Sequence, residues 1–361
     1  MPDFCLSNFK KSKFFFHSFN NLLIFCFFWM TPSVLHAEES CLSREFKTFT
    51  FYVENDIFAG TDKQYTGGFK LTWSRHGLST FPEDAWLHSW LYPVVNRLGF
   101  ENTPETENAL TFSIGQSVYT PGDIQETELI RDDRPYAGIT YIEIGFHRKL
   151  ENHMHTLGLC AGIVGPHSYA EAFQTAGHGI LNSKEPKGWD HQLEDEPVIC
   201  LIYDYKQKIL TSNINAGVGG DVVFNTGAGI GNVRIYYNIG LMMRYGWNVP
   251  NDCGNFPIQP ATCINAELKQ SVCDSPKKRF GAHLFFSAGS QLVLRDILLD
   301  GNTFRDSHSV DKKPVVGVFV GGIGLVYGKI KTVFAYVART KSFETQQDPE
   351  VFGSINFSFQ Y

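Results

Sequence analysis

At 361 residues the chain could hold one large β-barrel or two ordinary domains. Its 31 Phe, 33 Gly and 14% aromatic content, with few strong helix formers, make a β-protein composition. A formal net charge of −6 offers no basic footprint, which argues against nucleic acid as a partner.

Lys10, Lys11 and Lys13 precede the apolar run 22–30, which is followed by Pro32 and a small-residue stop at Ala37. This order predicts a secretory signal over residues 1–37 and a mature chain of 38–361, although Leu35 makes the cleavage site imperfect. A membrane anchor is the competing reading, but the apolar core is only about half the ~20 residues a spanning helix needs. No later segment reads as a transmembrane helix. Six cysteines follow the cut: Cys41, Cys160, Cys200, Cys253, Cys263 and Cys273. None has CxxC spacing, so disulfides in an exported protein are favoured over zinc or redox chemistry, with the connectivity open.

Twelve candidate strands then follow: 45–55, 65–75, 108–118, 136–148, 154–165, 196–206, 212–225, 231–247, 279–293, 313–327, 330–341 and 351–361. Most have the ~9–11 residues that cross a bilayer at a tilt, and their number is even, as in bacterial outer-membrane barrels. Ile142, Ile144 and Phe146 interleave with Tyr141, Glu143 and Gly145. In the last strand Ile355, Phe357, Phe359 and Tyr361 oppose Asn356, Ser358 and Gln360. The expected fold is all-β, a transmembrane antiparallel barrel of twelve strands forming one domain, with a short helix in an extracellular loop. A soluble β-sandwich is the alternative. Strand parity puts odd-numbered connections outside and even-numbered ones in the periplasm, together with both termini. The three-cysteine loop 248–278 falls on the periplasmic side. The connection 76–107 is long for that side, and its segment 86–91 reads as a short interfacial helix, since Trp favours that belt. Lys70, Thr72, Ser74, Glu143 and Asp204 are expected to line the lumen.

Two stretches break the pattern. Asn55-Asp56 and Tyr65-Thr66-Gly67-Gly68 end two facing strands on polar groups that a lipid-facing strand avoids. Between strands five and six, Ser168 and Glu171 have capping-box spacing, and Tyr169, Phe173 and Ile180 follow at near-helical intervals. His178 closes this helix between Gly177 and Gly179, each costing roughly 1 kcal/mol of helix stability. Close approach of backbone to the wall or to a ligand would account for that cost. Taken singly, a lone His, an Asn-Asp turn and a Thr-Gly-Gly strand start each have an ordinary structural reading.

Five motifs occur in one order: Asn55-Asp56; Tyr65 to Gly68; Gly115-Gln116-Ser117-Val118-Tyr119-Thr120-Pro121; Asp133-Arg134-Pro135-Tyr136-Ala137-Gly138; and Gly165-Pro166 through His178 to Gly188-Trp189-Asp190. Together they resemble the outer-membrane lipid A 3'-O-deacylase family over nearly the whole mature chain. The resemblance implies a monomeric barrel of the Gram-negative outer membrane acting on lipid A, the lipopolysaccharide anchor of the outer leaflet. It also implies a Ca²⁺-dependent esterase site between the barrel wall and an extracellular-loop helix. Carried over by motif, His178 is the general base, a role suited to imidazole because it titrates near neutral pH. Asp56 holds Ca²⁺, a hard cation that takes oxygen ligands. Asn55 and Thr66 position water, metal or substrate, and a backbone N–H near Gly67 completes an oxyanion hole. The family's acidic partner of the histidine falls on Lys184 or Glu185, and Glu185 is favoured because only a carboxylate stabilises an imidazolium. The family's phosphate-binding cations do not align, and the nearest are Arg131 and Arg134.

Parity adds an expectation independent of the family. Asn55, Gly67 and Gln116 share faces with lipid-side apolar residues, so they should form a polar notch on the outer wall. A substrate would then arrive laterally from the outer leaflet. Ideal alternation turns Thr66 inward, a tension that a bulge near Gly67-Gly68 would relieve. Two other functions compete. A phospholipase would need an exposed serine near His178, with Ser117 the candidate and Ser168 the helix cap. A non-enzymatic porin or adhesin would need neither calcium nor base.

Overall fold

Two-residue alternation turns every second side chain of a strand to the same face. Here one face meets lipid and the other a shared interior. The computed structural model describes residues 46–60, 64–78, 93, 97, 106–150, 152–181, 183–213, 217–254 and 280–361. The signal segment, the helix expected at 86–91, and Cys41, Cys263 and Cys273 lie outside the described residues.

Twelve antiparallel strands close into one barrel. They are β1 (Phe46–Asn55), β2 (Gln64–Leu78), β3 (Glu107–Thr120), β4 (Ala137–Leu150), β5 (His153–Val164) and β6 (Glu196–Asn213). β7 (Val218–Gly231), β8 (Arg234–Trp247), β9 (Phe280–Asp296), β10 (Val315–Tyr327), β11 (Ile330–Arg339) and β12 (Glu350–Gln360) complete the circle. Each strand pairs with its sequence neighbours, and β12 closes on β1 through Phe49 opposite Phe359, Phe51 opposite Phe357 and Val53 opposite Ile355. On the inner face of this seam Thr50 and Ser358 share a hydroxyl hydrogen bond of 3.0 Å. No helix among the described residues is long and apolar enough to cross a membrane.

The expected strand set holds, with one displaced turn. Strand six, expected to end at 206, runs on as β6 to Asn213, and β7 begins only at Val218. A bulge between Lys208 and Leu210 interrupts the alternation there, which hides the strand's continuation. Gly217, at φ +83°, is the residue that permits the true turn.

The lumen is filled with side chains. The expected inward set is buried, and Lys70 donates to Glu143 at 2.8 Å while Thr72 pairs with Ser113 at 2.9 Å. Trp73, Phe112, Ile142 and Tyr203 stand exposed on the other face, as a lipid-facing wall requires. A single apolar cluster that includes Tyr65, Tyr119, Tyr141, Val223, Met242, Phe285 and Phe352 runs through the interior. Cys160 and Cys200 lie opposite each other on β5 and β6 within it, and with Cys253 they are free thiols.

Both mouths are covered. At the end carrying the chain termini, the segment after β8 enters the lumen. Arg244 reaches the carbonyls of Pro250 and Asp252 at 3.2 and 2.9 Å, and Lys208 donates to Asn251 Oδ1 at 2.6 Å. The Asp252 carboxylate bonds both Arg244 and Lys331. Burial alone would raise its pKa, but Lys331 and Arg244 outweigh that and hold the carboxyl well below the usual carboxylate range. A depressed pKa gives stabilisation that is full above the unfolded value and is lost as pH falls through the folded one. Asp252→Ala removes the carboxylate that Arg244 and Lys331 share, leaving Arg244 with Asp221 alone, and is expected to cost about 3–5 kcal/mol. The measurement is the unfolding midpoint of the barrel in denaturant, and an unchanged midpoint would show that the plug contributes no stability. At the opposite end a short helix, α2 (Ile297–Asp300), folds over the mouth with Ile297, Leu298 and Leu299 buried. The other helix, α1 (Ala170–Leu181), lies outside the barrel.

Candidate functional site

The site begins with how α1 is fixed to the wall. Ser168 precedes it in a short 3₁₀ turn (Pro166–Ser168), and the Ser168 carbonyl accepts from Gln116 Nε2 and from Thr140 Oγ1, both at 2.7 Å. Gln116 also donates to Thr140 Oγ1 at 3.0 Å. Thr140 stands in the outward row of Ile142, so this clamp lies on the lipid side, as parity expects. Gln116 is buried, because the start of α1 covers it. One turn on, Phe173 packs on Phe69 with ring centroids 5.1 Å apart. Gly138 makes the contact possible. A Cβ there would lie 2.0 Å from Ala170 Cβ and 2.5 Å from Ser168 Oγ. Val118, Tyr136, Ala170 and Trp189 fill the junction as an apolar cluster.

The capping box does not form. Tyr169, in the left-handed region at φ +57°, separates Ser168 from the helix, and its own carbonyl accepts from Phe173 N–H. Ser168 is instead wedged against Gly138. The helix also turns a different face inward from the one its apolar residues suggest. Tyr169 and Ile180 are 67% and 77% exposed, whereas Ala170, Gln174 and His178, one turn apart, are buried. Gln174 accepts from Trp189 Nε1 at 2.9 Å, which ties the helix to the motif that follows it. Gly177 and Gly179 do not approach the wall, since a Cβ at either would meet nothing within 4 Å. Neither glycine is required by a close contact with the wall.

His178 is 5% exposed, and its Nδ1 lies 2.5 Å from the Lys184 carbonyl. A carbonyl only accepts, so this contact places the proton on Nδ1 and, in the neutral ring, the lone pair on Nε2. The group that orients the imidazole is thus a backbone oxygen rather than the Glu185 carboxylate. Glu185 has an exposed side chain, and its own carbonyl takes a bond of 3.3 Å from Gln125. Residue-type reasoning looked for a carboxylate and had no means of seeing a carbonyl.

The hairpin ends meet on the same wall. Asn55 pairs in register with Gly67, and a Cβ on Gly67 would lie 2.9 Å from Asn55 Nδ2 and 2.8 Å from the Glu54 carbonyl. Only glycine leaves room for the Asn55 amide. Asn55 Oδ1 accepts from Ile57 N–H at 2.8 Å and caps a short 3₁₀ turn, Asp56–Ala59, in which Asp56 is fully buried. The expected bulge occurs between Tyr65 and Gly67 on the β3 side. Thr66 is the extra residue, and its hydroxyl meets that of Thr120 at 2.7 Å. Thr120 continues the row of Gln116 and Val118, so the bulge releases Thr66 from the inward position that strict alternation assigns it.

The two cations expected to bind substrate part company. Arg131 is exposed on the β3–β4 connection, whereas Arg134 is buried on the lumen side, with its guanidinium 4.5 Å above the Tyr119 ring. Within the same motif, Asp133 accepts from Gly122 N–H at 2.7 Å and Tyr136 packs on Trp189 at 5.0 Å. Asp-Arg-Pro-Tyr therefore serves to organise the loops. Nearby, on the connection between α1 and β6, burial would raise the Asp195 pKa, but hydrogen bonds from His167 lower it below the ordinary value.

As for metal, no group of three or more His, Cys, Asp and Glu able to hold an ion occurs among the described residues. The polar side chains that the two strand ends supply, the Asp56 carboxylate, the Asn55 amide and the Thr66 hydroxyl, all offer oxygen. That set suits a hard cation such as Ca²⁺ and not zinc.

A closed, filled barrel with an apolar, lipid-facing exterior is an integral β-barrel protein of an outer membrane. The model of the family described as outer membrane protein LpxR matches residues 22–361, and the chain belongs to that family. Among solved structures, LpxR from Salmonella typhimurium superposes with a TM-score of 0.65 at 17% identity, covering 86% of this chain and 99% of that one. The β domain of the Bordetella autotransporter BrkA follows at a TM-score of 0.40 and 6% identity, covering 88% and 98%. No curated protein matches the chain.

Proposed function

We propose that the protein is a hydrolase that removes the 3'-linked acyloxyacyl group of lipid A by water attack, with His178 as general base. The observation that carries this reading is the placement of His178: buried on a helix that Ser168 and Phe173 seat on the outer wall, with Nδ1 held by the Lys184 carbonyl. In the proposed reaction Nε2 takes a proton from water as its oxygen attacks the ester carbonyl. Collapse of the tetrahedral species breaks the ester C–O bond, and the imidazolium returns the proton to the departing sugar oxygen. Asn55 and Thr66 orient the water and the ester, and the interrupted strand ladder at Gly67 supplies a backbone N–H to the oxyanion. Bound at Asp56, Ca²⁺ would polarise the carbonyl and offset the developing negative charge. The filled lumen favours lateral arrival of the lipid from the bilayer, and the exposed apolar side of α1 suits that path.

Two observations weigh against the competing functions. Ser117 is fully buried on inward parity, and Ser168 is wedged at Gly138, so neither serine is presented to His178. A porin needs an open lumen, and here both mouths are covered. The test is mass spectrometry of purified lipid A after incubation with the barrel in detergent, with Ca²⁺ or with a chelator. Loss of the mass of one acyloxyacyl group with Ca²⁺ and none with chelator is expected. Unchanged lipid A in the presence of Ca²⁺ would sink the proposal.

A further inference from the structure

Beneath α2, at the end of the lumen opposite the termini, lies a cavity of about 30 Å³. Three guanidinium groups converge on it, from Arg134, Arg234 and Arg339, and only two carboxylates, Asp296 and Glu350. Arg234 lies 3.3 Å from Asp296 and Arg339 donates to Glu350 at 3.4 Å. Arg134 has no carboxylate, only the face of Tyr119 at 4.5 Å. The Nε–H groups of Arg134 and Arg339 are buried without a hydrogen-bond partner among the described residues, whereas Arg234 Nε faces Asp296 Oδ2 at 3.3 Å, and Arg134 and Arg339 are only 4% and 8% exposed. This site is separate from the one at His178. It faces the lumen, whereas α1 sits on the outside of the wall.

Buried donors of this kind are satisfied in native proteins, and an uncompensated buried cation is costly. Glu54 adds a third negative charge near Arg339, so the imbalance is local: Arg134 is left without a carboxylate of its own, and the Nε–H donors of Arg134 and Arg339 are unfilled. A planar or tetrahedral oxyanion answers both needs, since guanidinium binds such groups through paired N–H bonds. One further atom narrows the choice. Glu350 Oε1 is also buried without a partner. It would repel a fully ionised oxyanion but accept a hydrogen bond from one that still carries a proton. At neutral pH phosphate retains an O–H, and sulfate does not.

We propose that this cavity is a binding site for a protonated phosphate group, held by Arg134, Arg234 and Arg339 and bonded to Glu350 through its P–OH. Either free inorganic phosphate or a phosphate carried by a lipopolysaccharide fits that chemistry. The bound group would link the β3–β4 connection to β8 and β11 across the mouth.

The experiment titrates the full-length barrel in detergent by calorimetry at constant ionic strength. Inorganic phosphate, sulfate, and lipid A with and without its phosphates serve as the four probes. Saturable phosphate binding at least about tenfold tighter than sulfate binding is expected. Arg134→Gln should abolish it, and Glu350→Gln should erase the preference over sulfate. Heat-modifiable gel mobility confirms folding of each variant, and Arg134→Lys, which keeps the charge but loses the fork, should bind more weakly than wild type. Arg134-dependent binding of phosphorylated lipid A alone would assign the group to the lipid, and binding of free phosphate as well would assign it to the ion. If neither binds, or if Arg134→Gln binds as wild type does, water satisfies the arginines and the proposal is wrong.

Discussion

His178→Ala should lower the rate of lipid A deacylation by roughly 10²–10⁴-fold, the range that loss of a positioned general base commonly produces. The barrel itself should be unaffected, because the imidazole lies on α1, outside the lumen, and its Nδ1 contact is to the Lys184 carbonyl of the following loop. His178→Gln sharpens the test. A glutamine amide can still donate to that carbonyl but cannot take a proton from water, so it should be as inactive as alanine. Ser117→Ala and Ser168→Ala should keep most activity. If His178→Gln turned over lipid A at the wild-type rate, or if Ser117→Ala were dead while folded, the water mechanism would have to be abandoned. The assay is release of the acyloxyacyl group followed by mass, with heat-modifiable mobility reporting the fold.

Much of the architecture is legible in the sequence because a membrane barrel obeys a strict two-residue rule. Lys70, Thr72 and Ser74 point inward, and Phe49, Phe51 and Val53 outward, for a reason any reader of the chain can apply. The rule fails where the backbone departs from it. The Lys208–Leu210 bulge conceals the far end of β6, and the bulge at Thr66 reverses that residue's assignment. Loops obey no such rule. Ser168 and Glu171 have the spacing of a capping box, yet the helix starts one residue later, because Gln116 and Thr140 hold the Ser168 carbonyl against the wall. Tyr169, Phe173 and Ile180 resemble a buried stripe, yet only Phe173 touches the wall, on Phe69, and Tyr169 and Ile180 face outward, since in lipid an apolar face does not need a protein partner.

The candidate site divides in the same way. Asn55, Gly67 and Gln116 gather on the outer wall as parity requires, and His178 is turned toward that wall. Glu185 could not be settled by spacing, because the partner of the imidazole is a peptide oxygen, which no residue type encodes. In the sequence Arg134 reads equally as a substrate cation or as a structural residue of Asp-Arg-Pro-Tyr. Its side chain in fact crosses to the lumen, a choice fixed by Tyr119 and by the Asp133 bonds that set the loop.

Gly138 carries the second large effect, through geometry alone. An alanine there would bring Cβ to 2.0 Å from Ala170 Cβ and 2.5 Å from Ser168 Oγ, both far inside contact distance. Something must move, and the strand, paired on both sides, is the stiffer partner. The start of α1 should therefore lift from the wall, breaking the two bonds to the Ser168 carbonyl and shifting His178 at the far end of the helix. Misplacing a reacting group by about 1 Å can cost on the order of 10²-fold in rate. Gly138→Ala should thus lose activity by that order while the barrel folds and keeps its heat-modifiable mobility. The same displacement supplies a rescue. Ala170→Gly removes the closer of the two clashes and should restore part of the rate in the double variant, although the single Ala170→Gly change weakens the helix. If Gly138→Ala were fully active, the helix would not be held at this point, and the outer-wall site would lose its anchor. If it were inactive and Ala170→Gly recovered nothing, the cause would lie in strand β4 itself rather than in the seating of α1.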